Sequence, residues 1–337
     1  MCLFEKSRMI EKFRGTLYGL LVGDCFGQLF QESSILPKGS RLVLRKFLDS
    51  FENEPGKKGI RKLYTDDTAL TLAVARTIES CKQIDQKNLA INYVDEFYRN
   101  VYRGFNASTI EIFAKLKHSN FDDVLYPAKE VLNSNSGDNG CAMFIAPIAL
   151  VCTKNKMLNL NDEIRKAAAL THSNDEMAVT GAILLANAIG ALIESKNNLD
   201  IDNFLSHISK KLNSSKGDDR LFEEQINGVK KLLNVDNPSE ERIVNVLGHS
   251  EQAIFSVPTA IYCFLRSVKH KNNMNPFRQV VEYAIQLGGH SNTIASMSGA
   301  LCGAHYGEAV ISHNMLDQCE GFDEIKATAE HLFDAFK

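Results

Sequence analysis

Four glycines spaced by four, Gly15, Gly19, Gly23 and Gly27, stand within a stretch, Arg14 to Gly27, whose apolar pattern is helical. A helix brings residues i and i+4 onto one face, so this face carries hydrogen atoms in place of side chains. Each glycine in a helix interior costs about 1 kcal/mol relative to alanine. Four in register need a compensating contact, and what they permit is a second helix at very short range. The chain offers one with the same property: Ala295, Gly299 and Gly303, again four apart and near the other end. The expectation is a buried helix pair formed by the two ends of the chain.

The rest of the pattern agrees with a helical protein. Strand-like alternation is nearly absent. Asp66 to Ser80 places Leu70, Val74 and Ile78 on one helical face, and Glu176 to Glu194 is apolar nearly all round, as a central buried helix is. Glu52–Lys58 and Asn213–Asp219, rich in small and charged residues, read as surface loops too short to link domains. No repeat of fixed period occurs. At 337 residues the chain can bury a large core, and the predicted fold class is all-α: a single large orthogonal helical domain over residues 1–337.

Charge and cysteine content exclude several classes. A formal net charge of -3 offers no basic excess to attract a nucleic acid or an acidic membrane. The first residues, MCLFEKSRMIEKF, carry charges where a signal peptide needs an apolar stretch. The longest apolar run, Gly181 to Ile193, is interrupted by Asn187 and is too short for a bilayer. The eight cysteines form no CxxC pair and read as free thiols of a reducing compartment. A soluble cytoplasmic protein is expected, with no nucleic-acid or membrane partner and with self-association at high concentration only.

Four polar segments interrupt the helical pattern. Thr65-Asp66-Asp67-Thr68 precedes an apolar helix; its two carboxylates are hard ligands of the kind Mg²⁺ or Ca²⁺ prefers. The plainer reading is that Thr65 caps the helix and both aspartates sit at the positive end of its dipole. Gly288-Gly289-His290-Ser291-Asn292-Thr293 runs from glycines into a helix start, as anion and metal pockets do. Gly23-Asp24-Cys25-Phe26-Gly27 is followed by Gln31 and Glu32. Asn135-Ser136-Gly137-Asp138-Asn139-Gly140-Cys141 is a small-residue loop that lets a ligand approach the backbone.

In this order, and with Thr171-His172 and the Ser256–Arg266 stretch, these segments resemble the ADP-ribosylglycohydrolases over nearly the whole chain. The likeness is nearest the branch that removes ADP-ribose from serine and degrades poly(ADP-ribose). It implies an all-helical fold with two Mg²⁺ ions at the floor of an ADP-ribose cleft. It also implies metal ligation by Thr65, Asp66 and Asp67, and ligand contacts at Gly104, Ser136, Gly137, Gly140 and His172.

Measured against that resemblance, the site departs from the pattern. Where the family has Gly-Gly-Asp-x-Asp-Thr, this chain has His290, Asn292 and only Thr293 unchanged. The family glutamate after GD-x-x-G is matched by Gln31, with Glu32 next to it, and a family arginine after Gly-Ala-Met is matched by Phe144. Two divalent ions carry four positive charges, and at the matching positions only Asp66, Asp67 and the displaced Glu32 remain to offset them. Asn292 keeps a carbonyl oxygen, while the nitrogen of His290 suits zinc or nickel better than magnesium. His290 then reads either as a tolerated replacement or as a transition-metal ligand beside Asp66 and Asp67, and His172 as a structural, hydrogen-bonded histidine.

The expectation drawn from this count is a degenerate metal site, vestigial at Gln31, Glu32, Thr65, Asp66, Asp67, Asn292 and Thr293, and a chain that is not an enzyme. No cofactor is expected, with residual magnesium and weak ADP-ribose binding left open. The chain is similar to the jellyfish lens crystallins of the J type, themselves similar to these hydrolases, and a structural role in the lens is the adopted reading. The alternatives are a magnesium-dependent ADP-ribosyl hydrolase using Glu32, and a non-catalytic ADP-ribose-binding protein.

Overall fold

The computed structural model describes residues 3–31, 34–53, 61–132, 136–173, 175–195, 198–212, 217–270 and 274–336. Among the described residues there are eighteen α-helices and two short 3-10 turns. No strand occurs there, only two isolated bridges, Lys62 with Cys319 and Asp138 with Gln252. The helices share one continuous apolar core, which bears out the all-α, single-domain expectation.

The glycine seam is present. The Leu3–Gly27 and Ser291–Tyr306 helices lie antiparallel with backbone against backbone. A Cβ on Gly15 would stand 2.6 Å from the carbonyl oxygen of Gly303, and one on Gly23 would stand 2.6 Å from Cα of Ser296. At Gly19 it would strike the carbonyl of Gly299, and at Gly27 it would reach Cα of Asn292 at 2.6 Å. Antiparallel pairing has a consequence for chemistry. The end of the first helix, with Asp24 and Gly27, is laid beside the start of the late one, with Asn292 and Thr293.

The Glu176–Glu194 helix has the predicted bounds, is long and apolar enough to cross a membrane, and is instead mostly buried inside the bundle. Its last carbonyls would be orphaned. Lys12, nearly fully buried, caps them: Nζ donates to Leu192 O at 2.6 Å, Ile193 O at 3.1 Å and Ser195 O at 2.9 Å. Burial, and then the nearby Arg8, lowers the Lys12 pKa to about 7.

Other expectations shift. The first helix begins at Leu3, well before Arg14, and the Asp66 helix runs to Cys81. Of the expected Glu52–Lys58 loop, Glu52 and Asn53 end the Lys38–Asn53 helix, and 54–58 lie outside the described residues. Of Asn213–Asp219, residues 213–216 lie outside them, and the remainder opens the Gly217–Leu233 helix. Asp218 and Asp219 there favour the positive helix end, a signal that the loop-like composition hid. The seven described cysteines are free, and all but Cys81 are buried.

Candidate active site

Two helix starts meet at the floor of a cleft of about 310 Å³. The first is Thr65–Thr68. Thr65 is extended and caps the helix, its hydroxyl accepting from Asp67 N at 3.3 Å. The same hydroxyl donates to Oδ1 of the buried Asp24 at 2.7 Å, while Thr65 N donates to Oδ2 at 3.0 Å. Thr68 adds its hydroxyl at 2.6 Å and its amide at 3.3 Å. Asp24 thus accepts four hydrogen bonds and locks this start to the end of the first helix. The capping reading holds at Thr65, and the cap leaves the two aspartates facing the cleft. Asp66 N is held by Arg103 O at 2.9 Å. Burial, then the Asp24 charge, pushes the Asp66 carboxyl up to about 7. The same causes, with Asp66 added, raise Asp67 further. Its Oδ2 is buried and has no hydrogen-bond partner.

The second start follows two glycines of positive φ, Gly288 at 70° and Gly289 at 66°. A side chain on Gly289 would collide with His249, whose carbonyl accepts from His290 N at 2.8 Å. Ser291 Oγ donates to Gly27 O at 3.3 Å. Asn292 Oδ1, Thr293 Oγ1 and Ser296 Oγ are buried without partners. Thr293 lies close enough to favour the charged form of Asp67, yet its hydroxyl makes no well-formed hydrogen bond. His290 faces the cleft and its Nδ1 meets Asn139 Nδ2 at 3.1 Å. Burial lowers its pKa.

The walls come from loops. Gly104, with φ of 91°, brings backbone past Asp66, where a Cβ would stand 3.7 Å from Oδ1. Arg103 is not free for a phosphate. It stacks on the Tyr64 ring at 3.5 Å, donates to Tyr64 O at 2.8 Å and pairs with Glu320 at 2.5 and 3.0 Å. Asn106, Ser108 and Thr109, at the start of the Ala107–His118 helix, line the cleft. Across from them, Ser136 Oγ donates to Asp138 Oδ2 at 2.6 Å and Gly137 N to Asp175 Oδ2 at 2.7 Å. Asp138 Oδ1 accepts from Gly140 N at 2.8 Å and pairs with His172 Nε2 at 2.7 Å. A Cβ on Gly140 would stand 2.8 Å from both of those partners. Burial opposes ionisation of Asp138, but the His172 contact more than offsets it and holds the carboxyl below the usual range. His172 rises well above its usual value against burial, through Cys141 and Asp138. Burial pushes the Cys141 thiol up, so Asp138 is the charged partner at neutral pH.

Of the sequence-predicted residues, Asp66, Asp67, Gly104, Ser136, Gly140, His172 and His290 line the cleft. Asn292 and Thr293 are buried, Thr65 is half-buried, and Gly137 is backbone support for the loop. Gln31 is exposed after the Gln28–Phe30 turn and does not line the cleft; Glu32 lies outside the described residues, as does Asn135. Phe144 packs in the core against Tyr93, ring centroids 5.8 Å apart. Sequence reasoning held Asp24 and Asn139 within two of its polar segments without giving either a role, and it missed Glu251. Asp24 had a signal, a carboxylate inside the glycine stripe; Glu251 had none.

Among the described residues no group of three or more His, Cys, Asp and Glu side chains converges to hold a metal. On His290, the residue of the transition-metal alternative, Nδ1 is engaged by Asn139 and only Nε2 is open to the cleft. What converges is oxygen: two aspartates, with orphaned atoms on Asp67, Asn292 and Thr293. Buried polar atoms without partners are rare, and three together suit one hard divalent ion.

A solved chain titled ADP-ribosylglycohydrolase-related protein complex has this fold, with a TM-score of 0.68 at 18 % identity, covering 98 % of this chain and 100 % of its own. The ADP-ribosylglycohydrolase family model matches residues 5–337, and the chain belongs to that family. It is similar to ADP-ribosylhydrolase ARH3 of Mus musculus, 31 % identical over 98 % of this chain and 93 % of the relative. The Homo sapiens ARH3 is 30 % identical over 98 % and 95 %. These relatives correct the expectation that the chain is not an enzyme: proteins matching it over nearly their whole length are named as hydrolases. The carboxylates absent at 290 and 292 do not remove it from an enzyme family.

Proposed function

We propose that the chain is an ADP-ribosyl hydrolase of the ARH3 kind, acting on serine-linked ADP-ribose with one bound Mg²⁺. The observation that supports this most is the set of buried, unpartnered oxygens of Asp67, Asn292 and Thr293 under the cleft. Asp66, Asp67, Asn292 and Thr293 would hold the ion. When bound, it supplies a Lewis acid that polarises an oxygen and acidifies water.

The chain's own residues do the rest. The start of the Ala107–His118 helix turns its positive end toward the cleft, where an anionic diphosphate is favoured. The Asp138–His172 pair keeps the Ser136–Gly140 loop in one shape and lets it border the ligand. Gln31 is an amide and cannot accept a proton as the family glutamate would. Glu251 lines the same cleft, and its carboxylate makes no hydrogen bond or ion pair among the described residues. We assign it the proton of the attacking water. In this reading the protein works in the cytoplasm without nucleic-acid or membrane partners, and self-associates at high concentration only. A lens role rests on the resemblance to J-type crystallins and would be a second use of the same chain.

The test is release of ADP-ribose from a serine-ADP-ribosylated peptide by metal-stripped protein, with and without millimolar Mg²⁺. Magnesium-dependent release, falling about 10²-fold or more in Glu251→Gln, is expected. No release at saturating Mg²⁺ removes the proposal.

A further inference from the structure

His290 replaces what the family pattern would make an acidic ligand, and its hydrogen bonds define what it does instead. Ser256 Oγ donates its one proton to Gln252 O at 3.0 Å, so the same oxygen can only accept from Asn139 Nδ2, at 3.1 Å. That contact fixes which end of the Asn139 amide is nitrogen. The second proton of this nitrogen is then directed at His290 Nδ1, 3.1 Å away. An Nδ1 that accepts cannot carry hydrogen, so the ring's proton is on Nε2. Asn139 is buried and its own amide donates to Glu251 O at 2.8 Å, while His290 N is tied to His249 O at 2.8 Å. Both residues are anchored through their backbones, and neither ring nor amide is left to turn. The ring lines the cleft, and Nε2 has no partner among the described residues.

We infer that His290 is a fixed hydrogen-bond donor on the cleft wall, aimed at an oxygen of the bound ribosyl substrate, and not a ligand of a second cation. This rests on the proposed hydrolase reading and adds its specificity: charge at position 290 is exchanged for a directed N–H. A donor of this kind discriminates for an acceptor oxygen, because an analogue lacking that oxygen covers the N–H without pairing it.

The experiment loads the metal-stripped full chain with Mn²⁺ and reads three signals. Nitrogen NMR of the histidine rings is expected to show the proton of His290 on Nε2, and to show it moved to Nδ1 in Asn139→Asp, whose carboxylate accepts there. Titration by electron paramagnetic resonance is expected to give one uncoupled Mn²⁺ per chain, with no imidazole nitrogen modulation. A second, spin-coupled Mn²⁺, an imidazole signal in the wild-type chain, or a wild-type proton on Nδ1 each overturns the inference. The wild-type spectra stand even if Asn139→Asp fails to fold. ADP-ribose release by a chain with two ions sinks this inference and the single-ion part of the proposed function, and leaves the hydrolase activity. One ion and a protonated Nε2 without release does the reverse.

Discussion

The two helix starts beneath the cleft are built on opposite principles. At Thr65–Thr68 the polar groups are committed: Asp24 collects two hydroxyls and two amides, and the start is braced before any ligand arrives. At Ser291–Thr293 the backbone is placed by contact, glycine against helix, with one bond from Ser291 to Gly27 O, and the side-chain oxygens of Asn292 and Thr293 are left idle. The contrast separates two uses of acidic residues that lie close together. Asp24 is architecture, acting through threonines, whereas burial, and then the Asp24 charge, disfavours ionisation of Asp66 and Asp67. The position of the neutral start does not depend on the side chains of Asn292 and Thr293.

That contrast can be broken. The largest effect is expected from Asp24→Ala, which orphans four donors at once. Urea unfolding should show a loss of about 3–5 kcal/mol, while Asn292→Ala stays within about 1 kcal/mol of wild type. Equal losses would erase the distinction. Next comes pH. Asp66 keeps its proton in the folded state up to about 7, whereas the unfolded chain releases it near its ordinary 3.8. Between those values the folded state binds more protons, so stability falls as pH rises through this window, by about 2–4 kcal/mol for Asp66. Chemical denaturation of metal-free protein at pH 5 and pH 8 checks this, and millimolar Mg²⁺ should flatten the slope. Stability that climbs with pH would put the strain elsewhere.

A matched pair sharpens the comparison further. Thr68→Val removes a hydroxyl bound to a carboxylate and should cost about 2 kcal/mol. Thr293→Val should be within about 0.5 kcal/mol of neutral without metal, yet weaken Mn²⁺ binding by about tenfold or more in calorimetry. The smallest change belongs to Ser296→Ala, where deleting a partnerless hydroxyl should raise the melting temperature slightly, for about 1 kcal/mol or less. A drop there would reveal a partner for that hydroxyl.

Features encoded within one helix were legible. The glycine spacing gave both faces of the seam, and the apolar surround gave Glu176–Glu194 to the residue. The Thr65 cap could be read because its bond spans only two residues. Features made by distant partners were not. Asp24 meets Thr65 and Thr68 from 41 and 44 positions away, Asn139 meets His290 from 151, and Arg103 is claimed by Glu320 from 217. No spacing rule carries such pairs. The expectation that the chain is not an enzyme rested on tallying carboxylates at matching positions, and it was overturned by hydrolase relatives that match over nearly their whole length.

The seam between the first and the late helix also sets an order of events in time. Gly19 can find Gly299 only after about 280 further residues have been synthesised, which takes roughly 15–60 s at typical elongation rates. Throughout that interval the first helix presents a bare glycine face and its apolar neighbours without their partner. A chain whose innermost seam joins segments about 280 residues apart has high contact order and closes late. The first helix is therefore without its main partner until translation is nearly complete.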